Sequence, residues 1–265
     1  MSPLEVLQEP SRAFCHSYLR RAWLIAALAV LSCAVGTQSV AGSEADELLA
    51  RVRSALPEVP LRIEAELQAR DRRGTITQVA PVEMKLDWGA VVPRAVYTVF
   101  DRFGTPRERM TVEWPGNGDT RVVLERGDPL EEVADPEVDA TIGTFDLTWA
   151  DLQLPFLWWP NGRRVGSERV RGRYCHIIEI TAPADAFTAY AAARLWIDPE
   201  TALLLQADAL DARGRAVRRV QIRSLRQIDE QWMVQNIDIF NHATRERVTL
   251  RVRDLDRLPN ERRPE

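Results

Sequence analysis

Residues 61–70 read LRIEAELQAR, and this stretch decides the fold. Its apolar residues, from Leu61 to Ala69, occupy every second position, and charged or amide side chains lie between them. Alternation with a period of two is typical of a β-strand with one buried face and one solvated face. The run DRRG at residues 71–74 then predicts a turn, after which the chain reverses and pairs with the next strand.

The same alternation recurs along the chain. The side chains predicted to share a buried face are Val82, Met84, Leu86 and Trp88 on one strand, and Met110, Val112 and Trp114 on another. Further strands are expected near residues 95–100, 121–125, 173–180, 193–197, 203–211, 217–225, 232–240 and 248–252. Short strands separated by turn residues indicate one long antiparallel meander of about ten to eleven strands, which curls under its own twist. The charged tail at residues 254–265 is predicted to be disordered.

An amphipathic helix is predicted before the sheet. Ser43 can cap it, and the apolar residues Leu48, Leu49, Val52 and Leu56 then recur at helical spacing. Pro57 ends the pattern. Its apolar face must pack on another element, and the sheet is the element that follows.

The centre of the chain interrupts the strand pattern. Thr148 can cap a short helix that begins at Trp149, and the aromatic run Phe156-Leu157-Trp158-Trp159 follows, flanked by prolines. Because those prolines prevent pairing with a sheet, we expect this segment to cover the concave face. The run GRRVGS at residues 162–167 follows no apolar strand and is predicted to be a loop.

The first 41 residues have the pattern of an export signal. Two arginines at residues 20–21 precede an apolar run at residues 22–31, and small residues then lead to Ala41. The apolar run is shorter than the roughly 20 residues that a membrane-spanning helix needs. We therefore assign residues 1–41 as a signal peptide with a long N-terminal region, and expect a periplasmic protein.

Two alternatives remain for this leader. The run VLSC at residues 30–33 resembles a lipoprotein cleavage box, which would leave the mature chain anchored through an acylated Cys33. The paired arginines also resemble a twin-arginine signal.

Composition gives little sign of catalysis. A hydrophobic content of 45%, a charged content of 28% and a net charge of −4 are ordinary for a globular domain and indicate no polyanionic partner. Cys175 alone remains after the leader, in an apolar strand pattern, so we expect a buried thiol rather than a nucleophile. His176 and His242 have no neighbours at ligand spacing, and no nucleophile elbow or phosphate-binding loop occurs. We expect no enzymatic activity, no metal and no cofactor.

Six arginines cluster late in the chain: Arg213, Arg215, Arg218, Arg219, Arg223 and Arg226. This cluster has two interpretations. It can contact anionic headgroups or an acidic partner, or it can be the solvated face of a strand.

The tryptophans are the stronger indication of a site. Large aromatic rings suit an apolar ligand, although they can equally fill a core. Because adjacent residues point in different directions, at least one of Trp158 and Trp159 is expected to meet a groove, a lid contact or a partner. The predicted lipid-binding residues are Trp88, Trp114, Met84, Met110, Trp149, Phe156, Leu157, Trp158, Trp159 and Trp196.

Several motifs resemble the LolA-like superfamily of outer-membrane lipoprotein-sorting proteins. They are IGTFDLTWADL at residues 142–152, FLWWP at 156–160, GSERVRGRYC at 166–175, LWIDPET at 195–201 and QWM at 231–233. The resemblance implies an open antiparallel half-barrel at residues 42–253, with helices over a concave apolar face that holds lipid or lipoprotein acyl chains.

Two functions follow from this resemblance. The first is a monomeric periplasmic carrier of acyl chains that works with an inner-membrane exporter and an outer-membrane receptor, without nucleic acid. The alternative is an envelope sensor or scaffold that uses the same half-barrel to recognise a protein or lipid signal. A hydrolase, the third hypothesis, rests only on scattered polar residues.

Overall fold

The computed structural model describes residues 44–115, 120–228 and 231–259. The predicted signal peptide, Cys33, the Ser43 cap and the end of the tail lie outside these ranges. The predicted turn at residues 115–118 lies outside them except for Pro115, and the predicted turn at residues 229–230 lies wholly outside them.

Within these ranges the protein is mainly β, with thirteen strands in one antiparallel sheet. The strands are β1 Leu61–Arg70, β2 Ile76–Asp87, β3 Arg94–Phe100, β4 Pro106–Glu113, β5 Arg121–Gly127, β6 Leu130–Glu132, β7 Arg163–Val170, β8 Arg173–Thr181, β9 Ala192–Asp198, β10 Leu203–Leu210, β11 Ala216–Ile228, β12 Gln231–Asn241 and β13 Arg247–Arg257. The helices are α1, residues 44–54, and α2 Trp149–Gln153, which the single 3-10 turn Pro155–Leu157 follows.

The strand order differs from one continuous meander. It is β6-β5-β4-β3-β2-β1-β13-β12-β11-β10-β9-β8-β7, so the first and last strands pair at the centre of the sheet. The sheet is open, with β6 at one edge and β7 at the other. Residues 133–162, here called the crossing segment, therefore connect one edge of the sheet to the other.

The predicted strand count was too low because two edge strands lack the alternating pattern. β6 has three residues, and β7 spans the stretch that was predicted to be a loop. Five of the eight residues of β7 are exposed, so its sequence shows no apolar period. The prediction of a disordered tail from Asp254 was also wrong at its start, because β13 continues to Arg257 and pairs there with Leu61.

Strand alternation places one continuous apolar row across the first half of the sheet. In register, Ile63 lies opposite Met84, Met84 opposite Tyr97, Tyr97 opposite Met110, and Met110 opposite Leu124. All five side chains are buried. Cross-strand apolar neighbours of this kind are the main stabilising contacts of a sheet with one covered face.

The helix α1 covers part of this face. Ala45, Leu48, Leu49 and Val52 are its buried residues, which confirms the predicted apolar stripe except for Leu56, which lies beyond the helix and is half-buried. The end of the crossing segment packs closely on α1 at Gly162, where a Cβ would lie 2.8 Å from Leu49 Cδ1. The Gly162 amide also donates to Asp46 Oδ1 at 2.9 Å, so α1 and the crossing segment are tied together.

The crossing segment covers the rest of the face. Eight of its buried apolar residues join the main core, and they are Ala140, Ile142, Phe145, Leu147, Trp149, Leu152, Phe156 and Trp159. The predicted Thr148 cap is confirmed: its hydroxyl accepts from the Asp151 amide, and the Asp151 side chain accepts from the Thr148 amide. Leu154 then adopts a left-handed conformation (φ 51°) that ends α2 and turns the chain into Pro155–Leu157.

A second, smaller cluster lies on the opposite face of the sheet. It comprises Val170, Cys175, Trp196 and Leu205. Leu195 and Ile197, the neighbours of Trp196 along β9, belong to the main core, as alternation requires. Cys175 is a free, buried thiol, and burial raises its pKa above the ordinary value.

Candidate functional site

A cleft lined by tryptophans opens where α1, the β2–β3 turn and the end of the crossing segment meet. We define the tryptophan cleft by Arg53, Trp88, Trp114, Trp158 and Trp159. The Trp114 and Trp158 rings are stacked, with centroids 5.0 Å apart and planes inclined by 19°. Such offset stacking holds two elements together without directional hydrogen bonds.

Two pockets adjoin in this cleft. One has a volume of about 720 Å³ and lies between the chain after α1, Trp88, Gly89 and Trp158. The other has a volume of about 340 Å³ and includes Trp114, Trp158 and Trp159. Arg53 and Trp158 line both pockets, so they form the wall between them. Volumes of this order are typical of small-molecule sites.

The floor of the larger pocket depends on a close backbone approach. A Cβ on Gly89 would lie 2.0 Å from the carbonyl oxygen of Glu58, so only glycine fits at this point. The β2–β3 turn therefore packs directly on the chain that follows α1.

Arg53 contributes a positive charge to the cleft. Its Nη1 donates to the carbonyl oxygen of Leu157 at 2.9 Å, which links the end of α1 to the crossing segment. Partial burial lowers the pKa of this guanidinium, and the charge of Asp46 partly offsets the effect. An arginine remains protonated at neutral pH under such a shift, so the cleft contains a fixed cation.

A partly buried polar cluster holds the first half of the crossing segment, which extends through α2. We call it the polar clamp, and define it by Asp146, Asp151, Tyr190, Arg218 and Asn241. Arg218 on β11 donates to Asp151 Oδ2 at 3.2 Å and to Asp146 Oδ1 at 3.0 Å. The Tyr190 hydroxyl donates to Asp151 Oδ1 at 2.5 Å, and Asn241 Nδ2 donates to Asp146 Oδ1 at 2.7 Å.

The charged groups of the clamp compensate one another. Burial alone would raise the pKa of Asp146, but hydrogen bonds from Thr244 and Asn241 and the charge of Arg218 lower it below the ordinary value. The Arg218 pKa is raised despite burial because two carboxylates surround the guanidinium. Burial raises the Tyr190 pKa well above its ordinary value, and the neighbouring Asp151 carboxylate raises it further. The phenol is therefore a hydrogen-bond donor at neutral pH.

A pocket of about 310 Å³ lies beside the clamp, with Thr148, Tyr190, Arg218 and Asn241 in its lining. Its polar groups already bond one another, since Tyr190 and Arg218 both bond Asp151. We interpret the clamp as an anchor for the crossing segment.

Nine of the ten predicted site residues divide into three groups. Met84, Met110, Trp149 and Phe156 are buried in the main core, where Trp149 and Phe156 are each 1% exposed. Trp88, Leu157 and Trp158 are only partly buried and pack against that core. Trp114 and Trp159 are buried but also line the smaller pocket.

Trp196 is not brought together with the others. It belongs to the cluster on the opposite face, and its Nε1 donates to Glu168 Oε2 at 2.9 Å.

The arginine cluster is divided by strand geometry. Arg218 turns into the clamp, with 12% of its side chain exposed, while its neighbour Arg219 pairs with Asp208 at 2.7 Å. Arg215 and Arg223 also have carboxylates within 4.0 Å, at Asp211 and Asp238. The cluster is therefore largely neutralised by its own neighbours in the sheet.

Sequence reasoning missed the clamp and Arg53. One signal was available for the clamp: adjacent arginines in a strand point to opposite faces, so one of Arg218 and Arg219 had to meet the covered side. Asp146 and Asp151 in the cover were the available carboxylates. No comparable signal marks Arg53, which looks like an ordinary solvated residue near a helix end.

Two other features are absent from the described part of the chain. No helix there has both the length and the apolar character needed to cross a bilayer. In the same ranges, no three His, Cys, Asp or Glu side chains come together as a metal site would require.

Comparison with known proteins supports the fold. A sequence profile of a family described as "Uncharacterized protein" matches residues 142–260, which is less than half of the chain. No curated protein matches the sequence.

Solved structures are more informative. A DUF1329 family protein from Desulfovibrio piger superposes with a TM-score of 0.70 at 17% identity, over 82% of this chain and 93% of that one. An outer membrane lipoprotein-sorting protein domain from Vibrio parahaemolyticus gives 0.70 at 13% identity, over 83% and 94%. A LolA superfamily protein from Nitrosomonas europaea gives 0.60 at 10% identity, over 82% and 96%. The resemblance to LolA-like proteins is thus confirmed at the level of the fold.

Proposed function

We propose that this protein binds the acyl chains of a lipid or lipoprotein in the periplasm, as a carrier of the outer-membrane lipoprotein-sorting type. The observation that carries the proposal is the tryptophan cleft, with its two adjoining pockets at the rim of a covered apolar face. The open sheet serves as a half-barrel, with α1 and the crossing segment as its cover.

The fold supports this proposal through its relatives. The structures that superpose well include a lipoprotein-sorting domain and a LolA superfamily protein. The N-terminal sequence pattern supports export to the periplasm. An inner-membrane exporter and an outer-membrane receptor are the partners expected of such a carrier.

Binding of this kind requires no chemistry. Each methylene that leaves water stabilises the complex by about 0.8 kcal/mol, so a long chain supplies affinity by burial alone. The function is therefore proposed to be non-enzymatic, with release through movement of the cover.

The packed core beneath the cover limits where an acyl chain can bind. The side chains of Trp149 and Phe156 already fill the space under the cover, each with 1% exposure. An acyl chain therefore enters through the tryptophan cleft, and occupies the deeper face only if Trp158 and its neighbours move outward. Surface segments open at lower cost than strands at the centre of a sheet.

The same filled interior favours a second candidate, an envelope sensor or scaffold. A face that is complete without a ligand can present a constant surface to a protein signal.

The first experiment is native mass spectrometry of protein purified from the periplasm. We expect co-purified lipid whose mass is lost on organic extraction. A fluorescent long-chain fatty acid then measures binding directly. Saturable binding that unlabelled fatty acid displaces supports the carrier. Absence of both co-purified lipid and probe binding contradicts the carrier and favours the sensor.

A further inference from the structure

We propose that Arg53 makes the tryptophan cleft selective for a single-chain amphiphile with a free carboxylate, whose head group pairs with the guanidinium while its chain lies along the tryptophans. This inference rests on the proposed function and names its substrate class.

The first step concerns the charge of Arg53. Many arginines of the described chain have a carboxylate close by; Arg107, for example, lies 2.8 Å from Asp101. Within residues 44–115, 120–228 and 231–259, no carboxylate lies within 4.0 Å of Arg53, and its hydrogen-bond acceptor is the Leu157 carbonyl. A guanidinium has five N–H donors, so this single bond leaves most of its capacity available.

The second step concerns the surroundings of that charge. Arg53 lines both pockets of the cleft, next to Trp158, and its pKa is lowered by burial. The Leu157 carbonyl and the more distant charge of Asp46 offset only part of the lost hydration, so the guanidinium remains incompletely compensated. An anion in either pocket would remove this penalty.

The third step concerns an unpartnered donor on Trp114, a residue that lines the same cleft. Trp114 is 6% exposed and lines the smaller pocket. Its Nε1 lacks a hydrogen-bond partner within the described residues. Buried indole N–H groups normally find an acceptor, so the protein around Trp114 is short of acceptors, although this N–H is enclosed and is not itself a contact for a ligand.

The fourth step identifies the ligand class. A planar guanidinium matches the two oxygens of a carboxylate, and tryptophan faces match an alkyl chain. The two pockets meet at Arg53, so a head group there leaves the chain free to follow either one. The cleft places a positive charge next to an apolar surface, and this arrangement complements a fatty acid rather than a neutral lipid.

The test compares two ligands that differ only in the head group, palmitate and hexadecanol, by competition against a fluorescent fatty-acid probe. Arg53→Gln removes the charge but keeps an N–H donor for the Leu157 carbonyl. We expect it to weaken palmitate binding by about tenfold, the size of one charge-assisted hydrogen bond, and to leave hexadecanol unchanged. Arg53→Lys should retain part of the palmitate preference.

Arg51 supplies the matched control, because it is an exposed arginine on the same helix. Arg51→Gln should bind palmitate as the unsubstituted protein does. Thermal unfolding of each variant checks that the fold is kept.

The outcomes separate the two levels of the proposal. If neither palmitate nor hexadecanol binds, acyl-chain binding itself fails. If both bind equally well and Arg53→Gln changes neither, acyl binding stands and the carboxylate inference is overturned. Tighter binding of lysophosphatidic acid than of palmitate, lost in Arg53→Gln, would also overturn it, since the site would then recognise a phosphate.

Discussion

The two halves of the crossing segment are held by opposite kinds of interaction. The first half, which extends through α2, is fixed by the polar clamp, in which Arg218 forms ion pairs with both Asp146 and Asp151. The second half is held at the tryptophan cleft by the stacked rings of Trp114 and Trp158 and by the single bond from Arg53 to Leu157.

This difference suggests how one segment can both anchor and open. Buried ion pairs and hydrogen bonds have a narrow range of good geometries, so a clamped element has one position. Stacked rings and apolar surfaces are less directional, and partly exposed ones separate at lower cost. We propose that the clamped half is the hinge of the cover and that the half at the cleft is its gate.

The largest effect is expected from breaking the clamp. Arg218→Ala leaves two carboxylates without their cation, one of them on the buried residue Asp151. Removal of one partner of a buried pair costs about 3–5 kcal/mol in the free energy of unfolding, which urea denaturation measures. Arg215→Ala is the control, because its pair with Asp211 is exposed and should contribute less than about 1 kcal/mol. Equal losses in the two variants would contradict the assignment of the clamp as an anchor.

A somewhat smaller loss is expected at Trp159. Its side chain is 4% exposed and meets Phe156 edge to face, with ring centroids 6.3 Å apart. Trp159→Ala should lower the free energy of unfolding by about 3 kcal/mol, at the low end for a buried tryptophan, because water from the adjoining pocket can enter the cavity. Calorimetry measures the change. A loss below about 1 kcal/mol would show that Trp159 belongs to the gate rather than to the core.

The sequence was sufficient to predict the strands of the two sheet halves. β1, β2 and β4 alternate clearly, and their buried faces are those expected from the pattern. The edges escaped prediction because β6 is short and β7 is mostly exposed. The pairing of β1 with β13 was not predicted either, since contacts between strands that are far apart in the sequence leave no local pattern. For that reason the crossing segment was predicted as a cover but not as a bridge between two edges.

The site was also only partly predictable, because strand alternation is visible in the sequence and tertiary contacts are not. Alternation predicted that Trp88 and Trp114 lie on the buried face of their strands, and in the structure they directly follow β2 and β4. Trp158 and Trp159 were expected to differ, and the structure shows one partly exposed and one buried. Trp196 was grouped with them by composition alone, although its position in β9 directs it to the opposite face. The partners of Arg53 and Arg218 depend on tertiary contacts, which no sequence period reports.

Acid should release the clamp in a way that the cleft does not share. The folded-state pKa of Asp146 lies below its ordinary value, so its stabilising effect is complete above the unfolded-state value of about 3.9. That contribution is lost as the pH falls through the folded-state value. We expect the free energy of unfolding to decrease below about pH 4, and Asp146→Asn to flatten that decrease. Denaturation at a series of pH values measures both slopes; identical slopes would remove Asp146 from the acid response.

The smallest effect on stability, and the most informative one for function, is expected at Trp158. This residue packs on the core through one side, stacks on Trp114 and lines both pockets, so its ring is shared between the protein and the cleft. A stacked aromatic pair contributes about 0.5–1.5 kcal/mol beyond its buried area. Since Trp158 is only partly buried, Trp158→Ala should cost about 1 kcal/mol or less in the free energy of unfolding.

The same ring provides one wall for an acyl chain in either pocket, so its loss should weaken binding of a fluorescent fatty acid by about tenfold. The comparison with Trp159→Ala is then decisive. Substitution of a gate residue should lower affinity at nearly constant stability, whereas substitution of the buried Trp159, which lines only the smaller pocket, should lower stability more than affinity per folded molecule. If Trp158→Ala instead lowers the free energy of unfolding as much as Trp159→Ala does, with affinity per folded molecule unchanged, the second half of the crossing segment is core and does not act as a gate.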